Sequence, residues 1–271
     1  METIKTSYNS VLTIAGSDSG GCAGIQADIK SISACGVFAA SVITATTAQN
    51  TQGVIDIHPI PISHIEKQLD AVFSDIRFSA VKIGMLHSCD VIERIGLRLS
   101  ENDVTKIVID PVMVATSGDK LITKEAIGCL KKLLHQAFLI TPNRKEAEIL
   151  AGHLIDKSNA KKTARDIGVQ FKTSVLLKGG HIDESSENVF DILYEYETDR
   201  IIVIKNTRIN TKNTHGTGCS LSSSIAAFLS KGFDLESAVM NACNYINWAI
   251  ENGKNKVLGK GNGPINHFGL E

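Results

Sequence analysis

The segment Asn213-Thr214-His215-Gly216-Thr217-Gly218-Cys219 runs straight into Ser220-Leu221-Ser222-Ser223-Ser224-Ile225-Ala226-Ala227. Two glycines stand where a loop becomes a helix built of small residues. At such a junction backbone N–H groups can approach an anion closely, and the helix dipole adds a favourable field. Cys219 falls in the first turn, where a thiolate is expected to be stabilised. A phosphate-sized oxyanion and a polarised nucleophile or base could therefore meet at one point. The same pattern also serves as a tight turn into a buried helix, with Cys219 a small core residue.

Other residues widen the chemistry. Lys178 ends an apolar run and precedes Gly179-Gly180, so its ammonium could meet a transferring phosphoryl group or simply reach solvent. Asp110 and Asn143-x-x-Glu146 supply oxygen ligands at neighbouring strand ends, a set that suits hydrated Mg²⁺. Asn143 and Glu146 also read as a helix cap with an acidic first turn, and both readings can hold together. Gly20-Gly21-Cys22-Ala23-Gly24 is either a loop pressed against a small ligand or a turn needing positive φ. Asp28 follows it on a helix otherwise filled with apolar residues. No GxxxxGK[ST] and no GxGxxG occur, so neither a P-loop nor a dinucleotide fingerprint is present. An anion-binding helix start, a lysine and a carboxylate pair together form a phosphoryl-transfer kit without a P-loop.

These groups need a frame. The chain has 271 residues, 43% of them hydrophobic and 21% charged, with a formal net charge of −1. That suits a single globular domain over 1–271 and excludes the broad basic surface of a nucleic-acid binder or an anionic-membrane binder. The first apolar run, Val11–Ala15, is too short for a signal or a membrane span, which points to a cytoplasmic protein. The six cysteines show no CxxC spacing and lie mostly in expected helices, so neither zinc nor a disulfide is expected.

Short β-branched runs alternate with helical periodicity. Strands are expected over 11–16, 41–47, 54–58, 80–84, 107–110, 138–141 and 174–178. Helices are expected over 24–35, 64–76, 91–100, 124–135, 143–151, 158–171, 217–231 and 235–252. Residues 190–197 and 200–206 flank Thr198-Asp199 as a late hairpin. The order predicts an α/β fold: a doubly wound, mostly parallel sheet with helices on both faces and an antiparallel hairpin at one edge. In such sheets ligands collect at the carboxyl ends of the strands. Gly16-Ser17-Asp18, Gln49-Asn50, Gly84-Met85, Asp110-Pro111, Pro142-Asn143 and Lys178-Gly179-Gly180 all fall there.

In this setting the chain resembles the ribokinase superfamily, and within it the hydroxymethylpyrimidine/phosphomethylpyrimidine kinases of thiamine synthesis. The matching stretches run from Ala15 to Asp28, from Ile43 to Thr51 and from Lys82 to Leu86. They continue with Asp110–Met113 to Ser117-Gly118-Asp119, Thr141–Ala147, Lys178–His181, Asn210–Cys219 and Gly259–Pro264. They occur in order over nearly the whole chain. The resemblance implies ATP and Mg²⁺ as cofactors and a small pyrimidine as substrate. It implies that Gly216, Thr217, Gly218 and Cys219 form an anion hole, with Cys219 where other branches carry an aspartate base. Lys178 would contact the transferring phosphates. Asn143, Thr214 and Gly218 would join it in holding ATP, and Asp110 and Glu146 would organise Mg²⁺. Gly16, Asp28, Gln49, Met85 and Val112 would line the pyrimidine pocket. Cys22 departs from the glycine common at its position and is expected to narrow the pocket mouth slightly. Family members are often homodimers. A pyridoxine or pyridoxal kinase of the same branch is the rival reading. A non-catalytic vitamin-binding protein is a weaker one, since a binder needs no phosphoryl-transfer groups.

Overall fold

The computed structural model describes residues 7–113, 122–180, 182 and 185–268. Ser117-Gly118-Asp119 and His181 of the matching stretches lie outside them. Among the described residues, nine strands form one sheet: β1 (Ser10–Asp18), β2 (Phe38–Asn50), β3 (Gly53–Pro59), β4 (Ala80–Ile83), β5 (Ile107–Ile109), β6 (Leu139–Ile140), β7 (Ser174–Leu177), β8 (Asn188–Glu195) and β9 (Arg200–Thr207). Their spatial order is β3-β2-β1-β4-β5-β6-β7-β8-β9. The six strands from β2 to β7 are mutually parallel. The connections reverse direction between β1 and β4, which opens a crevice at the strand ends there.

Among the described residues, eight α-helices cover the faces: α1 (Gly24–Ala34), α2 (Ile62–Phe73), α3 (Cys89–Glu101), α4 (Lys124–Leu133), α5 (Arg144–Ala151), α6 (Ala160–Phe171), α7 (Thr217–Ser230) and α8 (Leu235–Gly253). The strands are apolar on both sides, and successive residues feed different cores. Leu12, Val81, Ile109 and Ile140 pack with α2 to α6, whereas Val11, Ala80, Val108 and Leu139 pack with α1, α7 and α8. The expected elements are therefore present, with ends shifted by a few residues.

Two features depart from the sequence reading. Antiparallel pairing occurs at both edges, because β3 folds back on β2 through the short turn at Thr51-Gln52. The second is a disulfide between Cys89 and Cys129, whose Cα atoms are 5.4 Å apart. Spacing along the chain gave no hint of it, since the residues are 40 positions apart and meet only because α3 and α4 pack side by side. With the sulfurs bonded to each other, no thiolates face Glu93 to make the zinc site that this trio could otherwise form.

A cross-link closing a loop of that length contributes about 4 kcal/mol in the chain-entropy account, as an upper value. Reductant is expected to lower the urea midpoint of the parent protein. It should leave that of a Cys89→Ser/Cys129→Ser variant unchanged, and equal responses in the two proteins would deny the bond a role in stability.

Candidate active site

A cavity of about 810 Å³ opens at the carboxyl ends of the parallel strands. Gly16, Gln49, Met85, Asp110, Val112, Asn143, Glu146, Lys178, Thr214, Gly216, Thr217, Gly218 and Cys219, all expected from sequence, line it. Asp28 does not. The cavity's volume is within the range of small-molecule and cofactor sites.

The junction before α7 has the anticipated form. Gly216 is the helix N-cap at φ 83°, and no side chain caps the helix. A Cβ on Gly216 would overlap the Cys22 carbonyl, so both conformation and space demand glycine. Thr217 is tied back to Thr214 through its backbone N–H (3.2 Å) and its hydroxyl (2.7 Å). The first-turn amides of Gly218 and Cys219 have no capping side chain and border the cavity, the arrangement that receives an oxyanion. A Cβ on Gly218 would sit 3.3 Å from Lys178 Nζ, so the bare residue lets the ammonium lie directly over this hole.

Lys178, just past β7, donates to Asp110 Oδ1 at 2.8 Å, and Thr141 Oγ1 donates to the same oxygen at 3.2 Å. Burial works to lower the Lys178 pKa, but the Asp110 and Glu146 carboxylates outweigh it and hold the ammonium above its ordinary value. Asn143 and Glu146 form a full capping box on α5, with Asn143 N donating to Glu146 Oε2 at 2.8 Å and Glu146 N donating to Asn143 Oδ1 at 3.0 Å. The helix-cap reading is thus realised, and the carboxylate still borders the cavity. Burial, together with the Asp110 charge, raises the Glu146 pKa to about 7 against the opposing pull of Lys178. A buried carboxylate beside another is a site where a cation would be favourable, so the donor set fits hydrated Mg²⁺.

On the other side of the cavity the bare Gly16 lets the Met85 thioether lie across it. Gln49 ends β2, and Val112 follows Asp110. Asp28 corrects the sequence expectation. It is fully buried on α1, and its carboxylate accepts from Lys82 Nζ (2.8 Å), Thr13 Oγ1 (2.6 Å) and Ser223 Oγ (2.7 Å). With those partners it underpins the cavity floor, while Lys82 itself borders the cavity. Cys22 also departs: it is 1% exposed, with Sγ 3.6 Å from the Gly20 carbonyl oxygen, and sits behind the wall rather than at the mouth. The Gly20–Gly24 loop is built by Asp18, whose carboxylate accepts from the backbone N–H of Gly20, Cys22 and Ala23. Lys82, His215 and Asp191, which holds Gly179 N–H at 2.7 Å, are wall residues the sequence reading left without a role. A lysine inside the apolar run Ala80-Val81-Lys82-Ile83 was the available signal.

Cys219 reverses the expected protonation. Loss of solvation pushes its thiol up to about 11, and Asp28 and Asp110 add to this. Lys82 and a hydrogen bond with the Gly24 backbone oppose it without prevailing. The helix terminus alone does not secure a thiolate here.

The family model for phosphomethylpyrimidine kinase matches residues 18–266. The chain belongs to that family. It is 44% identical over 260 residues to the hydroxymethylpyrimidine/phosphomethylpyrimidine kinase of Haemophilus influenzae, covering 95% of this chain and 96% of that protein. It is 46% identical over 261 residues to the thiamine biosynthesis bifunctional protein ThiED of Geobacter sulfurreducens, covering 96% of this chain. There it spans only 52% of the relative's length. Among solved structures it superposes on a Bacillus subtilis pyridoxal kinase in an ADP complex with a TM-score of 0.87 at 32% identity, over 96% of this chain and 98% of that one. The ribokinase-like fold is thus shared with both kinds of vitamin kinase.

Alkylation of Cys219 by iodoacetamide, followed by peptide mass spectrometry, should speed up about tenfold per pH unit from pH 7 to 10 without a plateau, because the thiolate is the reactive form. A plateau by pH 8 would mean that the thiol is activated after all.

Proposed function

We propose that this chain phosphorylates 4-amino-5-hydroxymethyl-2-methylpyrimidine with ATP and then phosphorylates the monophosphate to the diphosphate, as a step of thiamine biosynthesis. The observation that carries the reading is the meeting of Lys178 with the uncapped α7 terminus at Gly218, within a cavity whose other end is walled by Gly16, Gln49, Met85 and Val112. Near-full-length identity of 44% to a kinase named for these substrates supports it over the pyridoxal alternative, which stands at 32%.

Phosphoryl transfer passes through a loose transition state, so positioning and charge stabilisation do most of the work. The acceptor hydroxymethyl oxygen forms a bond to the γ-phosphorus of ATP as the bond to the β,γ-bridging oxygen breaks and ADP leaves. Lys178 and the Gly216–Cys219 amides take up charge on the transferring oxygens. Asn143 and Thr214 would help to hold the ATP phosphates. Asp110 and Glu146 would hold Mg²⁺, which supplies further charge neutralisation when bound. With its thiol protonated at neutral pH, Cys219 begins as a hydrogen-bond partner of the acceptor hydroxyl, and that hydroxyl passes its proton late to an oxygen of the transferred phosphoryl group. No helix among the described residues is long and apolar enough to cross a membrane. A cytoplasmic homodimer is the state we propose from the family resemblance.

The test is product analysis with purified protein, ATP and Mg²⁺, offering the hydroxymethylpyrimidine and pyridoxal separately. Diphosphate is expected from the pyrimidine. Good turnover of pyridoxal with no pyrimidine diphosphate would establish the rival reading. Lys178→Ala should lower kcat by roughly 10²–10³-fold while changing acceptor binding little, since its charge acts on the transition state.

A further inference from the structure

His215 lies on the cavity wall between the anion-binding turn and the acceptor end, 8% exposed, and phosphoryl transfer as derived above gives it no task. Its Nε2 is 3.3 Å from Gln49 Nε2. The amide nitrogen can only donate, so its contact needs a bare Nε2 on the ring, and the proton of the neutral ring then sits on Nδ1. Burial lowers the His215 pKa from its ordinary value, against the opposing pull of Asp18 and the Asn262 backbone, and keeps the ring neutral. A neutral ring protonated on Nδ1 has a bare Nε2, which can only accept. Gln49 therefore keeps its NH₂ toward His215. Its carbonyl oxygen there would set lone pair against lone pair.

The opposite end of the amide agrees. Gln49 Oε1 is 3.1 Å from Thr47 Oγ1, a hydroxyl that can donate to it or to the Ser17 carbonyl oxygen, also at 3.1 Å. The Gln49 backbone is fixed as well: its N–H donates to Ser19 Oγ at 2.9 Å, and the Ser19 hydroxyl donates to its carbonyl at 2.9 Å. One N–H and one carbonyl lone pair of the amide remain for a ligand, side by side. An aminopyrimidine offers the complement, an exocyclic amine beside a ring nitrogen. Pyridoxal has no amine beside its ring nitrogen.

His215 is itself held from outside the site. Its N–H donates to the Gly263 carbonyl at 3.0 Å, and it pairs with Pro264 as an isolated parallel bridge. Asn262 N donates to the Thr51 carbonyl at 3.1 Å, in the turn that follows Gln49. The contacts form a closed path: Gln49 to His215, His215 to Gly263, one step along the chain to Asn262, Asn262 to Thr51, and back to Gln49 along the chain.

We propose that His215 is a positioning residue for substrate choice, its ring holding the Gln49 amide so that the cavity presents a fixed donor–acceptor pair to an aminopyrimidine edge. The inference rests on the reading of Gln49 as the partner of that edge.

The test combines His215→Phe, which removes both ring nitrogens at similar bulk, with His215→Gln, which restores an acceptor, each in the parent and in a Gln49→Leu background. Initial rates give KM and kcat for the hydroxymethylpyrimidine and KM for ATP. His215→Phe is expected to raise the pyrimidine KM roughly tenfold, as for the loss of one well-placed hydrogen bond. KM for ATP should hold and kcat should fall less than KM rises. His215→Gln should recover most of the loss, and in the Gln49→Leu background His215→Phe should add nothing. Equal effects in both backgrounds, or a rise confined to the ATP KM, would overturn the proposal and assign His215 to the anion-binding turn. If Gln49→Leu raises the pyrimidine KM but His215→Phe does not, the positioning role alone fails. If Gln49→Leu leaves that KM unchanged, the pocket reading fails and takes this proposal with it. Should His215→Phe not fold, as judged by thermal melting with ATP, His215→Leu takes its place in both backgrounds. It supports the proposal if its KM change vanishes in the Gln49→Leu background and overturns it if the change persists.

Discussion

A buried ion pair sets the geometry on which everything else depends. Asp28 from α1 and Lys82 from β4 meet at 2.8 Å with both side chains fully buried. Thr13 of β1 and Ser223 of α7 complete the carboxylate's hydrogen bonds, so four elements converge on one charged group. Such a pair adds little net stability over an apolar substitute, but losing one partner costs about 3–5 kcal/mol because a bare charge stays behind. Its consequence is positional. It anchors α7 against the strands whose ends carry the cavity, and it brings an ammonium to the cavity floor.

Helix α7 can come so close only because its residues are small. Ser220, Ser222, Ser223, Ser224, Ala226 and Ala227 are all buried; Ser224 donates to the Ser220 carbonyl at 2.7 Å and Ser222 to that of Gly218 at 3.0 Å, while Ser223 reaches Asp28 and Ser220 pairs with His267 Nε2 at 2.9 Å. The close approach carries the helix terminus to Lys178, concentrating positive potential where phosphate oxygens would gather. The same closeness desolvates Cys219 and exposes it to the Asp28 and Asp110 charges. One packing decision thus strengthens the anion hole and weakens the thiol as a base. This is tolerable in a reaction whose transition state asks little deprotonation of the nucleophile.

The elements were legible because each carries a strong local signal. Apolar runs of four to six residues, helical periodicity and the Asn143-x-x-Glu146 cap all fix structure from nearby residues. The strand-end rule then gathered Gly16, Gln49, Met85, Asp110 and Lys178, which line one cavity, and the glycine-flanked helix start added Cys219. What failed depended on distant partners. Asp28 was placed on the right helix but on the wrong side of the cavity wall, since its true partners lie 15, 54 and 195 residues away. Cys89 and Cys129 are joined only by helix packing. The shift of Cys219 comes from desolvation, which spacing does not encode. Edge strand β3 was recognised as a strand, but its direction follows from the short turn before it.

A pyridoxal kinase shares this frame with a TM-score of 0.87, so the fold alone does not separate the two kinds of kinase. Selection must reside in a few side chains at the acceptor end and in what orients them. An amide makes a poor discriminator if free to turn, since turning exchanges its donor and acceptor. Here the Gln49 amide is bounded by Thr47 on one side and His215 on the other, and His215 is bounded in turn by the run Gly259–Pro264. A Cβ on Gly261 would overlap the Thr51 carbonyl, so that run must be bare to lie against the β2–β3 turn. The glycines near the end of the chain are therefore connected, by contact rather than by sequence, to the face that the cavity turns toward its acceptor.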